Sequence, residues 1–210
     1  MDDLTLHEMH VSGNCYKVRL VASILGLKLK LREYNTLKGE TRTQDFTSRV
    51  NANGRIPVLQ IGQDIFLPES DAACYYLADM ENSDLIPKDK LQHAQMLQWL
   101  FFEQYSHEPA IAVLRFWRTM KGLENLSEVQ KALMPEKERQ GAEVLGIMES
   151  HLYEGGKKWF AGDQVSLADL MLFAYTHCAD EAGFDLGDWP NVKAWVERVQ
   201  GVKGFIPLND

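Results

Sequence analysis

Cysteine is scarce in this chain of 210 residues. Cys15, Cys74 and Cys178 are too few and too scattered for a disulfide framework. No CxxC pair occurs and no His/Cys cluster has zinc spacing, so a zinc site and a dithiol redox motif are excluded and no metal is expected. Positive charge is also short. The 22 Lys and Arg stand against 30 Asp and Glu, a net charge of −8, which argues against nucleic acid or an anionic membrane surface as the main partner. No apolar run approaches the ~20 residues that a membrane helix needs. Met1-Asp2-Asp3 has neither the basic start nor the apolar stretch of a signal peptide. A reducing, cytoplasmic setting is therefore expected. Internal repeats and low-complexity segments are absent as well.

What is present falls into two halves. Up to about Met80, strand and helix signals alternate. Leu4, Leu6 and Met9 predict a short strand, and Val18, Val21, Ala22 and Leu25 predict a helix stopped by Gly26. Leu29 and Leu31 alternate with Lys28, Lys30 and Arg32, the pattern of a half-buried strand. Gln44–Val50 is a weak helix. Pro57–Ile61 and Ile65–Leu67 flank a Gly62-Gln63-Asp64 turn, and Ala73, Tyr76, Leu77 and Met80 mark another helix. The order is βαβαββα. The polar stretch 81–87, ending in Pro87, is expected to link a domain 1–80 to a domain 88–210. The second half is expected to be all-helical. Its stripes are Ala110/Val113/Leu114/Trp117, Leu145/Met148/Leu152, Leu167/Leu170/Met171/Ala174/Cys178 and Val192/Trp195/Val199. Pro109 should kink or break the first of them. The fold class is thus α/β plus all-α.

Three segments carry candidate chemistry. Ile56-Pro57 opens an apolar strand, and a proline there cannot join the ladder. If its bond is cis, the N–H and C=O of Ile56 can face a ligand. Glu69-Ser70-Asp71 sits at a predicted helix start, where a carboxylate can hold an amine and a hydroxyl with free N–H groups can hold a carboxylate. Together they suit an amino-acid terminus, although acidic and hydroxyl residues also cap any helix. Ser12 lies where the first strand meets the first helix, so its hydroxyl can donate to an anion or serve only as an N-cap. Cys15 is the rival, as a nucleophile at a helix start or as a structural thiol. Ser166 and Asp169 have capping-box spacing and a structural reading. Tyr105, His107, Phe116 and Trp117 line a pocket or pack a core.

Ser12-Gly13-Asn14-Cys15-Tyr16-Lys17-Val18-Arg19, Asn53-Gly54-Arg55-Ile56-Pro57-Val58-Leu59, Glu69-Ser70-Asp71-Ala72 and Ser166-Leu167-Ala168-Asp169 occur in this order before and within a helical second half. In these motifs the chain resembles the cytosolic glutathione S-transferases, specifically a bacterial serine-type member, over nearly its whole length. The resemblance implies a thioredoxin-like first domain, an all-helical second domain and a homodimer. It implies glutathione as co-substrate, with no bound cofactor, and conjugation of its thiol to hydrophobic electrophiles. It implies that Ile56, beside a cis Pro57, binds the cysteinyl backbone, and that Glu69 and Ser70 bind the γ-glutamyl end. Ser12 would hold the sulfur as thiolate, with Asn14 near enough to share that contact. Lys38, Arg42 and Arg55 are candidates for the glycyl carboxylate by charge. Val11, Tyr105, His107 and Phe116 are candidates for the electrophile pocket. Two alternatives stay open: a thiol–disulfide or peroxide reductase using Cys15, and a non-catalytic binding protein on the same fold.

Overall fold

The computed structural model describes residues 3–209; Met1, Asp2 and Asp210, at the outer ends of the two predicted domains, lie outside them. The chain divides into two compact units. One holds the chain up to Ile86 and the segment from Val202 onward, and the other is Pro87–Gly201.

The first unit is built on a four-stranded sheet. Its elements are β1 (Leu4–Glu8), α1 (Gly13–Leu25), β2 (Lys30–Glu33), α2 (Gln44–Arg49), β3 (Val58–Ile61), β4 (Ile65–Pro68) and α3 (Ser70–Met80). The strand order is β2-β1-β3-β4, with β1 and β2 parallel and β3 antiparallel to both β1 and β4. A helix crossover joins the parallel β1–β2 pair and a tight turn the antiparallel β3–β4 pair, as the two connection types require. Leu6, Val58 and Leu59 form the centre of the core and are fully buried.

The first helix follows its predicted stripe. Val18, Val21 and Ala22 are buried, and Gly26 ends the helix in the left-handed region at φ 71°. Two expectations are corrected. β2 is exposed along its whole length, with Leu31 at 54%, because among the described residues it is an edge strand paired with β1 alone. The buried face of α3 is Ser70, Ala73, Cys74, Leu77 and Ala78, while Met80 is exposed. Small residues at four of those five positions let α3 lie close on α1.

The last segment also departs from expectation. Residues 202–209 belong to the first unit and not to the helical half. Three side chains of α1 or its last turn hold its carbonyls: Tyr16 Oη donates to Ile206 O at 2.7 Å, Ser23 Oγ to Gly204 O at 2.7 Å, and Arg19 Nη2 to Leu208 O at 2.8 Å. Gly204 has φ +85°, and a Cβ there would lie 2.9 Å from Ile24 Cα, so only glycine allows this approach.

The second unit is helical: α4 (Lys90–Phe102), α5 (Glu108–Arg115), α6 (Glu128–Tyr153), α7 (Leu167–Thr176) and α8 (Pro190–Gln200). A π-helical turn, Glu103–His107, separates α4 from α5. Pro109 cannot donate to the carbonyl four residues back, and the ladder widens just before it. Every residue of α7 is buried, as are Leu145, Met148, Leu152, Val192, Trp195 and Val199.

A candidate active site at one end of the sheet

The strand register brings the three predicted segments to one place. His7 on β1 faces Val58 on β3, and Val58 faces Pro68 on β4. The end of β1, the start of β3 and the end of β4 are therefore level. Met9–Ser12, Arg55–Pro57 and Glu69–Ser70 all emerge at that end of the sheet.

Ser12 is the N-cap of α1, with φ −75° and ψ 124°, and its Oγ accepts from Cys15 N–H at 3.4 Å. Capping and chemistry are compatible here. A hydroxyl that accepts one bond still has its own hydrogen to donate. Ser12 and Asn14 are half-buried and Val11 is exposed. The loop before Ser12 is pinned on every side. Ser12 N–H donates to Met9 O at 2.9 Å, Thr36 Oγ1 to Met9 Sδ at 3.1 Å, and His10 N–H to Glu33 Oε1 at 3.0 Å. Cys15 is wholly buried, and its Sγ accepts from Met9 N–H at 3.5 Å. Burial pushes its thiol up to about 12, outweighing the hydrogen bond from Met9 N–H. Cys15 is thus a structural thiol that anchors the loop, which removes the geometric basis for a Cys15-dependent reductase.

The Ile56–Pro57 peptide bond is cis. The ladder begins at Val58, so the main chain of Ile56 lies beyond it. The turn before it is held from within. Asn51 Nδ2 donates to Arg55 O at 3.0 Å, Asn51 Oδ1 accepts from Asn53 N–H at 3.0 Å, and Arg42 Nη1 donates to Asn53 O at 2.8 Å. Arg42, a candidate carboxylate ligand from the sequence, is a brace for this turn. Lys38 and Arg55 are exposed. Gly54 has φ +60°, and a Cβ there would sit 2.8 Å from Thr41 O.

Glu69 precedes α3 with φ 71° and ψ 117°, a region that non-glycine residues rarely occupy, and its side chain is exposed. Such strain persists where the surrounding structure over-determines it, and it clusters at ligand clamps. Ser70 is buried; its hydroxyl donates to Asp71 Oδ1 at 3.2 Å, and the same oxygen accepts from Lys17 Nζ at 3.1 Å. Lys17 on α1 is wholly buried. The start of α3 is thereby tied to α1.

A second buried ion pair reaches the loop before Ser12 at His10. Arg19 Nη1 donates to the Glu8 carboxylate, and Arg19 Nη2 donates to His10 O at 2.8 Å. Burial raises the Glu8 pKa, and Arg19 opposes that shift. Sequence reasoning assigned no role to Lys17, Arg19 or Glu8. The available signal was two cations flanking Val18 on the apolar stripe of a helix.

The predicted pocket residues separate. His107 is a core residue and not a pocket wall. It is wholly buried, and its Nε2 lies 2.9 Å from Thr176 Oγ1. The Thr176 hydroxyl hydrogen goes to Leu172 O at 2.8 Å, so His107 Nε2 must be the donor. Tyr105, at 88%, and Phe116 are exposed. The Ser166–Asp169 capping box is present.

Both halves of the chain match family models: the glutathione S-transferase N-terminal domain over residues 6–83 and the glutathione S-transferase C-terminal domain over residues 93–201. The chain therefore belongs to the glutathione S-transferase family, and it is a glutathione-conjugating enzyme with a thioredoxin-like first domain. Among solved structures, a glutathione S-transferase from Pseudomonas fluorescens Pf-5 is 39% identical, with a TM-score of 0.90 over 99% of both chains. A possible glutathione S-transferase from Rhodopseudomonas palustris is 36% identical, with a TM-score of 0.91 over 99% of this chain and 98% of that one. Glutathione S-transferase 2 of Anopheles gambiae is 32% identical over 88% of this chain and 84% of its own length.

Proposed function

We propose that glutathione binds at the end of the sheet described above and that Ser12 activates its thiol. In this reading the main chain of Ile56, next to the cis proline, pairs with the cysteinyl backbone. The exposed Glu69 carboxylate takes the γ-glutamyl ammonium, and the start of α3 at Ser70 takes its carboxylate. Arg55 and Lys38, both exposed, are the cations proposed for the glycyl carboxylate. Arg42 acts through the turn it braces. Asn14 sits near Ser12 as a second polar group for the sulfur. Val11, Tyr105 and Phe116 are the apolar side chains proposed for a hydrophobic electrophile. The enzyme would act without a bound cofactor, as a homodimer in the cytoplasm, with neither nucleic acid nor membrane as partner. The first unit serves glutathione, and the helical unit serves the second substrate.

The carrying observation is the state of Ser12. Its oxygen already accepts from Cys15 N–H, so its hydrogen is left to donate. A hydrogen bond to a charged acceptor is worth about 1.5–3 kcal/mol, and one pKa unit is about 1.36 kcal/mol. Donation to the sulfur therefore lowers a thiol pKa near 8.5 by roughly one to two units. The resulting thiolate adds to the electrophile without a covalent enzyme intermediate. Ser12→Ala tests this with steady-state conjugation kinetics and calorimetric glutathione binding. Turnover should fall about tenfold or more while glutathione affinity changes little. Unchanged turnover would move the role to Asn14. Retention on a glutathione column with no conjugation of any electrophile would make the chain a binding protein.

A further inference from the structure

We propose that Arg19 is a positioning residue for Ser12, and that the last segment of the chain helps set the sulfur-binding loop through it. The proposal rests on the assignment of Ser12 above.

Arg19 is almost wholly buried, and its guanidinium joins three separate parts of the first unit. Nη1 meets the Glu8 carboxylate at the end of β1. Nη2 donates to two carbonyls, His10 O and Leu208 O, each at 2.8 Å. His10 lies two residues before Ser12, and its N–H is already held by Glu33 of β2. The peptide groups on either side of His10 thus have both outward polar atoms fixed, one from β2 and one from α1. The direction of the Ser12 hydroxyl follows from that loop. The Leu208 carbonyl completes the coordination of Nη2 from a point 189 residues further along the chain. Tyr16 and Ser23 strap the same segment to α1 at Ile206 and Gly204.

A planar fork is needed for this arrangement. Lysine presents one compact charge and cannot span a carboxylate and two carbonyls in fixed geometry. It can still neutralise Glu8, which keeps the variant from burying an unpaired carboxylate. The titratable groups around the loop are Glu8, His10, Cys15 and Glu33; Arg19 pairs directly with Glu8, and Arg19→Lys keeps a cation beside that carboxylate.

The test is the pH profile of kcat/KM for conjugation to a nitroaryl halide, measured on the full chain and its variants. Arg19→Lys should raise the midpoint by about one unit, cutting kcat/KM about tenfold below that midpoint, with glutathione affinity nearly unchanged. A chain ending at Pro207 should shift the midpoint in the same direction, because Nη2 loses one acceptor. Leu208→Ala keeps the carbonyl and should leave the midpoint in place. Ser12→Ala is run beside them. If it shifts the midpoint while Arg19→Lys and the shortened chain do not, the proposal is refuted and Ser12 keeps its role. If Ser12→Ala leaves the midpoint in place, the Ser12 assignment falls and this proposal with it. Should Arg19→Lys fail to fold, the shortened chain against Leu208→Ala decides.

Discussion

Asp169 is a position in the helical unit at which a change of one side chain should be costly. Its carboxylate is completely buried and accepts four hydrogen bonds. Oδ1 takes Phe160 N–H at 3.0 Å and Trp195 Nε1–H at 3.0 Å, while Oδ2 takes Ser166 N–H and the Ser166 hydroxyl, both at 2.9 Å. One side chain therefore joins the 160 loop, the start of α7 and the middle of α8. Asp169→Ala leaves three fixed donors without an acceptor. A buried donor left unsatisfied costs about 1–3 kcal/mol, and with partial relaxation the sum is about 3–5 kcal/mol. Asp169→Asn must turn an N–H₂ toward one pair of donors. Turned toward Ser166 it orphans one fixed N–H, since the hydroxyl can rotate to accept, for about 2 kcal/mol. Urea unfolding followed by tryptophan fluorescence measures both, because Trp195 reports on the site. A loss below about 1 kcal/mol for Asp169→Ala would refute the argument. The pH dependence has a definite sign. Burial, against the hydrogen bonds from Phe160, Ser166 and Trp195, pushes the Asp169 carboxyl up from 3.8 to about 6. A raised acid pKa contributes stability that is present below the unfolded value and is lost as pH rises through the folded one. The advantage of wild type over Asp169→Asn should therefore narrow between about pH 4 and 6.5. A gap that widens over that window contradicts it.

Three further outcomes follow from the first unit. Glu69→Gly removes the strain of φ 71° and should stabilise the fold by about 1 kcal/mol in thermal unfolding, while glutathione affinity falls through loss of the carboxylate; weaker stability would mean the backbone there is not strained. Cys15 should resist iodoacetamide in the native protein near neutral pH, because burial holds its thiol up at about 12; rapid labelling under native conditions would reopen the nucleophile reading. Gly54→Ala places a Cβ 2.8 Å from Thr41 O at φ +60° and should lower both stability, by about 1–3 kcal/mol, and glutathione affinity; an unchanged dissociation constant would show that the turn does not support Ile56.

The candidate site was legible in the sequence to the extent that its determinants are local. Ser12 before a helix stripe, a proline opening a strand and an acidic triplet at a helix start each combine a residue type with a chain position. Those positions survive in the fold as the N-cap, the cis peptide and the start of α3. What fixes these segments is not local, and this explains the misreadings. Arg42 was a carboxylate candidate by charge alone; it is exposed, and its bond to Asn53 O, 11 residues away across a turn, was not legible in the sequence. His107 looked like a pocket residue because its acceptor, Thr176, lies 69 residues away on α7. Lys17 and Arg19 carried no reading in the sequence, yet both are buried and paired, one across 54 residues and the other with an acceptor 189 residues on. Leu31 shows the converse. Alternation predicts a half-buried strand, but burial of an edge strand depends on what covers it, and sequence alternation carries no record of that. Groups that present themselves to a substrate can be recognised by type and place. Groups that aim them are recognised only once the chain has closed on itself, so the Arg19 cage around the Ser12 loop appears at the level of tertiary structure and not before.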